Sequence, residues 1–368
     1  MKKIIVFIVL VSFSPICAVV GSIVSGQSLW WITQRIGQTA DIIESKIDAL
    51  PICAQTSLSS DDISVNNIEI TSPGIYCLSE DVLVSSGITI RASCVFLDLN
   101  NRRVDGFISV ENNVSDVTVT RGFVFANFAA STLGMRVTSG SSNVLFSDIT
   151  VKDTAVTGGV AGADGMLLSG SKIQVFNCTV QGGDAGSTSS GAGLAGGHGI
   201  EIDTNASKVV VRDCVISSGA GGNTSELEIQ AGAGGDGVHI EGTDIEIDRC
   251  LIYGTGAGGN GSGNGGDGGN GVGITTNAVS VAVHDCIIRN TGAGGTGPDS
   301  DGTDGKAVED LKTGAASVVS VVYRNVAHNI ANAVKYNLQA SGEAGVFMAY
   351  PPPNSTFIGN QFVNLFYS

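Results

Sequence analysis

Four cysteines recur at one interval. Cys178, Cys214, Cys250 and Cys286 lie thirty-six residues apart, and each sits in the same local frame. The frames read Ile173-Gln-Val-Phe-Asn-Cys-Thr-Val180, Val209-Val-Val-Arg-Asp-Cys-Val-Ile216, Ile245-Glu-Ile-Asp-Arg-Cys-Leu-Ile252 and Val281-Ala-Val-His-Asp-Cys-Ile-Ile288. Alternating β-branched residues predict strands here, not helices. A second short strand precedes each frame and opens on a polar-Gly pair: Asp164-Gly165, His198-Gly199, Asp236-Gly237 and Asn270-Gly271. Strand, turn, strand and loop in tandem predict a solenoid. Equivalent residues would stack about 4.8 Å apart, the spacing of strands in a sheet. No strand of one unit would be stable alone, so the coils must stack. Degenerate frames at Val117–Val124 and Val144–Val151 extend the series upstream, and Asn325 continues it downstream.

The combined frame resembles the right-handed parallel β-helix of the pectate-lyase-like superfamily. Pro73-Gly-Ile-Tyr-Cys-Leu78, Ile88-Thr-Ile90 and Val95-Phe-Leu-Asp-Leu-Asn100 are similar to the first coils of its uncharacterised, exported bacterial members. The resemblance spans roughly residues 66–345. It implies an all-β solenoid. It leaves function open, because this scaffold carries lyases, hydrolases and adhesins alike.

The two ends read differently. Lys2 and Lys3 precede the apolar run Ile4–Val11, which predicts a signal peptide over residues 1–21 and an exported protein, secreted, periplasmic or at the cell surface. The run is too short for a span of about 20 residues, so no transmembrane span is expected in the mature chain. Leu29, Ile32, Ile36, Ala40, Ile43, Ile47 and Leu50 form an apolar stripe at helical spacing. It predicts an amphipathic helix within residues 22–52, ended by Pro51 and serving as an N-terminal cap. Residues 53–345 form the β-helix in this reading. Residues 346–368, with Pro351-Pro-Pro353 and a cluster of aromatics, form a C-terminal cap. The helix or this cap could also serve self-association.

A coil of this kind needs about 20–25 residues, within the range of solenoid repeats. The surplus lies in glycine-rich tracts at 182–197, 219–235, 254–269 and 292–305, expected to stack into one Gly-rich flank. Glycine is expected there for the left-handed φ that tight loops demand. The chain holds 52 Gly but only 7 Pro, which excludes collagen. Asp plus Glu outnumber Lys plus Arg 34 to 19. A net charge of −15 repels phosphate backbones, so nucleic acid is not an expected partner.

Candidate sites follow from the repeat. The cysteine ladder reads as four small buried hydrophobes, with disulfides and a metal as alternatives. No paired Cys-x-x-Cys supports zinc. Asp164, His198, Asp236 and Asn270 share one column, in which acid and imidazole could do general acid/base chemistry. Gly197-His-Gly199 is similar to the Gly-His-Gly of polygalacturonase-like glycosidases. The Asp-Asp pair and Arg-x-Lys of that family are absent, and Asp-Gly and Asn-Gly are ordinary turn chemistry. Asp164, His198 and Asp236 are therefore catalytic candidates against a structural alternative. His239 and His284 fall at unrelated strand positions. Gly265–Gly273, with Asn for Asp, and Ala231–His239, with Ala for the first Gly, approach the calcium-binding nonapeptide, which makes Asp236, Asp267 and Asn270 calcium candidates. It recurs only once per repeat, however. No other cofactor is implied. Between Asn177 and Val322, eighteen acids face six bases and one aromatic, Tyr253. That surface suits a polyanionic sugar badly. The preferred reading is a non-enzymatic structural, adhesive or interaction protein whose partner is a host protein or glycan. The alternatives are a polysaccharide-active lyase or glycosidase and a calcium-stabilised module.

Overall fold

The computed structural model describes residues 55–58, 68–82, 87–126, 133–153, 160–311, 320–323, 325–328, 356–358 and 361–363. The expected signal peptide, residues 1–21, and the expected amphipathic helix, within residues 22–52, lie outside the described residues. Among the described residues every regular element is a strand. All registered strand pairs are parallel, and they form a nine-stranded and an eighteen-stranded sheet. The eighteen-stranded sheet carries two ladders, so each coil has three facets. One coil runs Ile200–Ile202, Ser207–Arg212 and Val215–Ser217, then a glycine tract, and rises to the next coil at Val238–Ile240. The chain is thus a parallel β-helix. Its expected right-handed sense is the one that strand twist imposes on parallel crossovers. Strands Thr356–Ile358 and Gln361–Val363 continue the ladder inside the segment read as a C-terminal cap.

Alternation along each strand builds the core. In Ser207–Arg212, Val209 and Val211 are fully buried, while Lys208 is exposed and Arg212 half-buried. Register then stacks like on like. Ile173, Val209, Ile245 and Val281 form one column, and Val175, Val211, Ile247 and Val283 the next. Val180, Ile216, Ile252 and Ile288 line the short facet. Met166, Ile200, Val238, Val272 and Val308 line the nine-stranded sheet. Each fully buried aliphatic side chain contributes about 1.5–3 kcal/mol, so repetition along the axis carries the fold.

The cysteines turn a corner between two facets. The residue before each one has left-handed backbone: Asn177 (φ 49), Asp213 (φ 54), Arg249 (φ 50) and Asp285 (φ 55). Asn and Asp tolerate that conformation best, which explains their place in the frame. The bend aims each cysteine inward, where all four are 1% exposed. Each thiol then donates to the carbonyl two residues back: Phe176 O at 3.2 Å, Arg212 O at 3.2 Å, Asp248 O at 3.3 Å and His284 O at 3.2 Å. One coil on, Asn325 takes over. Its Oδ1 accepts the Cys286 N–H at 2.9 Å and its Nδ2 donates to Val283 O at 3.0 Å. The cysteine is a small hydrophobe with one weak donor, and the corner uses both properties. The six cysteines among the described residues are free thiols.

The glycine tracts are hydrogen-bonded from coil to coil, as the strands are. Each leaves the short facet, runs out, and returns to the nine-stranded sheet. Outgoing and returning tracts of successive coils are joined by a zigzag of main-chain hydrogen bonds, from Gly219 N–H to Gly197 O, Gly235 N–H to Gly219 O, Gly256 N–H to Gly235 O, Gly269 N–H to Gly256 O, and Gly292 N–H to Gly269 O, all within 2.7–3.2 Å. Three residues further out a second zigzag runs through Gly222, Gly232, Gly259, Gly266, Gly295 and Gly302. The spacing of three is that of an extended threefold helix, in which only glycine fits a crowded axis. A Cβ on Gly256 would lie 1.7 Å from Gly219 O. The expectation that these tracts need glycine for left-handed φ is corrected. Of their glycines only Gly191 (φ +87) and Gly254 (φ +55) have it, and Glu228 (φ 62) takes it without being glycine. Close backbone approach, not turning, selects glycine here.

Candidate functional site

The polar-Gly pairs open the strands of the nine-stranded sheet where the glycine tracts return. Their glycines are set by the core beneath. A Cβ on Gly165, Gly199, Gly237 or Gly271 would come within 2.4–2.5 Å of the inward side chains of Val180, Ile216, Ile252 and Ile288. The polar residue before each glycine faces out and forms one stacked column. Asp164 Oδ1 accepts the His198 N–H at 2.6 Å, and His198 Nδ1 accepts the Asp236 N–H at 2.9 Å. Asp236 Oδ1 accepts the Asn270 N–H at 2.7 Å, and Asn270 Oδ1 accepts the Lys306 N–H at 2.8 Å. Each side chain therefore caps the main chain of the next coil.

Two residues of the adjoining strands join the column. Glu201 and His239 are paired in register on Ile200–Ile202 and Val238–Ile240. The His239 ring stacks on His198 with centroids 4.5 Å apart, and its Nδ1 lies 2.8 Å from Asp236 Oδ2. Sequence reasoning set His239 aside and passed over Glu201. Their matched place between inward-facing aliphatics, in Ile-Glu-Ile and Val-His-Ile, was the available signal.

The charge states follow from burial and these bonds. Burial, a hydrogen bond with Glu201 and the charge of Glu201 push the Asp164 carboxyl up to about 8, against the His198 N–H that favours its ionised form. Asp164 is thus largely a neutral acid at neutral pH. Burial lowers the His198 pKa, and acceptance of the Asp236 N–H at Nδ1 places the ring proton on Nε2. Burial also pulls on His239, but the bond to Asp236 and the charges of Asp236, Glu241 and Glu201 outweigh it and raise its pKa. The site holds a neutral acid, a neutral imidazole and a more basic imidazole side by side.

Two groups of side chains offer donors within 4.8 Å of one another: His198, Asp236 and His239, and Glu246, Asp248 and His284. Neither is shaped for a cation. The two imidazoles of the first are stacked only 22° from parallel, so their lone pairs run side by side and do not converge. His198 Nδ1 and both Asp236 oxygens already hold partners. In the second, Asp248 is 2% exposed in its side chain and lies 2.7 Å from Arg212 Nε and 2.6 Å from Arg249 Nη1. Those guanidinium charges oppose a cation. The calcium candidates are each hydrogen-bonded within the protein. Asp236 and Asn270 stack in adjacent coils, but Asp267 stands three residues earlier and binds Thr303 through its N–H at 2.7 Å and its hydroxyl at 2.8 Å.

On the eighteen-stranded sheet, a shallow groove of about 430 Å³ is lined by Asn143, Leu145, Lys172, Gln174, Lys208 and Val210. Lys172 and Lys208 are two of the 19 basic residues of a strongly acidic chain. No helix among the described residues is long and apolar enough to cross a membrane.

No protein-family model matches this chain, and no curated protein matches it. Among solved structures it is similar to the pectate lyase Pel9A, at 13% identity and a TM-score of 0.39, over 82% of this chain and 70% of that one. It is similar to the Dettilon tailspike protein at 12% identity and a TM-score of 0.39, over 83% of this chain and 61% of the tailspike. The Streptococcus pneumoniae surface protein and adhesin PfbA matches at 10% identity and a TM-score of 0.28, over 83% and 86% of the two chains. The fold of this chain, a parallel β-helix with three strand facets per coil, is set by its own strand register.

Proposed function

We propose that the chain is an exported, non-enzymatic β-helix protein that serves as a rigid scaffold for binding, secreted, periplasmic or at a cell surface. One observation carries the reading: Asp164, His198, Asp236 and Asn270 are each bonded to the main chain of the next coil. A catalytic acid or base has to release and recover its proton against a substrate. These groups serve the register of the coils instead. The basic start and apolar run Ile4–Val11 support export. The partner is a host protein or a glycan, and an acidic one would be met at the groove of Lys172 and Lys208.

A second reading, a polysaccharide-active enzyme, is favoured by one feature. Asp164 keeps its proton to about 8 beside Glu201, and a neutral carboxylic acid in a cluster of titratable groups is a general-acid candidate. The full chain on glycan and host-protein arrays, followed by incubation with neutral and acidic polysaccharides, separates the two. Saturable binding without new reducing ends or unsaturated products is expected. Cleavage that disappears in Glu201→Gln would overturn the scaffold reading.

A further inference from the structure

At its last described rung the column changes character. Asn270 is followed one coil later by Lys306, and the strand that Lys306 opens, Val308–Asp310, carries Glu309. Three contacts join these residues. Asn270 Oδ1 accepts the Lys306 main-chain N–H at 2.8 Å. Asn270 Nδ2 donates to Glu309 Oε2 at 2.9 Å. The Lys306 ammonium donates to Glu309 Oε1. One carboxylate therefore grips an amine with one oxygen and a carboxamide with the other. The group is shielded but reachable, with side-chain exposures of 32% for Lys306 and 22% for Glu309. The preceding rungs lack the set. Gly273 and His239 stand where Glu309 does, and Asn270 and Asp236 stand where Lys306 does.

These are the parts of an amide transfer: a nucleophile, a carbonyl already polarised by an N–H, and a proton carrier touching both the attacking and the leaving nitrogen. We propose that Lys306 and Asn270 join in an intramolecular isopeptide bond, with Glu309 carrying the protons. Glu309 takes a proton from the Lys306 ammonium and leaves a neutral amine. Nζ attacks Cγ of Asn270, and the charge that develops on Oδ1 faces the Lys306 N–H already bound there. Glu309 returns the proton to Nδ2, the Cγ–Nδ2 bond breaks, and ammonia leaves. One carbon–nitrogen bond forms and one breaks, the departing ammonia takes up the proton that Nζ sheds, and nothing is oxidised or reduced. Fixed placement of the reacting groups replaces a collision between them, the advantage that makes intramolecular amide exchange fast enough to matter. The product ties two successive coils through their outer side chains, at the end of the described column. It does not depend on what the protein binds.

The digest of the full chain decides. Folded protein is incubated at mildly alkaline pH, denatured, cut with trypsin and weighed by mass spectrometry. The flanking cut sites are Arg249, Arg289, Lys306 and Lys312. The bond predicts one branched product, residues 250–289 joined to residues 290–312, uncut after Lys306 and lighter by one ammonia. Separate peptides with unmodified Asn270 and a cut after Lys306 overturn the proposal. So does Asn270 converted to Asp beside a free Lys306, since water rather than the amine would then be the nucleophile. Glu309→Gln keeps the shape and is expected to abolish the branched product, as is Lys306→Arg. Persistence of the branch in Glu309→Gln overturns the role given to Glu309. Circular dichroism checks that the variants fold, and if one does not, the parent digest alone settles the bond.

Discussion

Asp164 is the residue whose charge state the fold alters most legibly. An aspartate ordinarily loses its proton near 4, but here burial and Glu201 hold it to about 8. Between those values the folded chain binds a proton that the unfolded chain has released. Stability contributed by this group is therefore present below pH 4 and lost as pH rises toward 8. His239, with its raised pKa, acts in the same direction above its ordinary range, and His198, with its lowered one, acts against them. Asp164→Asn keeps an oxygen for the His198 N–H and supplies a permanent donor for Glu201. Relative to the parent, it should gain roughly 1 kcal/mol per pH unit between pH 5 and pH 7, read from urea midpoints. A parent and variant that run parallel would remove the assignment. Much at this scale could be read from the sequence, and some could not. The column of Asp164, His198, Asp236 and Asn270 follows from the repeat. That His239 folds onto it does not, because a residue's neighbours one coil away depend on how long each intervening loop is. The Asn and Asp before the cysteines were visible as letters, but their left-handed backbone, which aims the thiols inward, only makes sense once a corner exists there.

The glycine tracts are the elements whose nature the sequence concealed. Their place and period were legible, and so was their stacking on one flank. Composition suggested tight loops with left-handed φ, whereas the coils hold runs joined amide to amide. The difference lies in partners: an extended glycine run has no strand pattern of its own and becomes regular only against its neighbours. Gly-x-x-Gly spacing, as in Gly219/Gly222, Gly256/Gly259 and Gly266/Gly269, was the trace of it. Substitution tests the close approach directly. Gly256→Ala places a methyl 1.7 Å from Gly219 O and has rigid backbone on every side. It should cost about 3 kcal/mol or more, whereas Ala257→Ser at the exposed adjacent position should stay within about 0.5 kcal/mol. Equal midpoints for the two would mean that the tracts are loose in solution.

At the scale of the molecule, two kinds of interior lie side by side. The axial core is a stack of aliphatic columns and resembles any protein interior. The glycine flank is an interior too, with main chain close on main chain, but it has almost no hydrocarbon in it. Melting the first wets apolar surface, which raises heat capacity, while melting the second wets amides, which lowers it. The unfolding increment per residue should therefore fall below the usual figure of about 12–15 cal/mol/K, as scanning calorimetry would show. A value at or above that figure would mean that water already fills the flank. The same imbalance flattens the temperature dome. A protein insulated this way loses its margin slowly in the cold as well as in the heat, because so much of what holds it together is dipole meeting dipole and not oil leaving water.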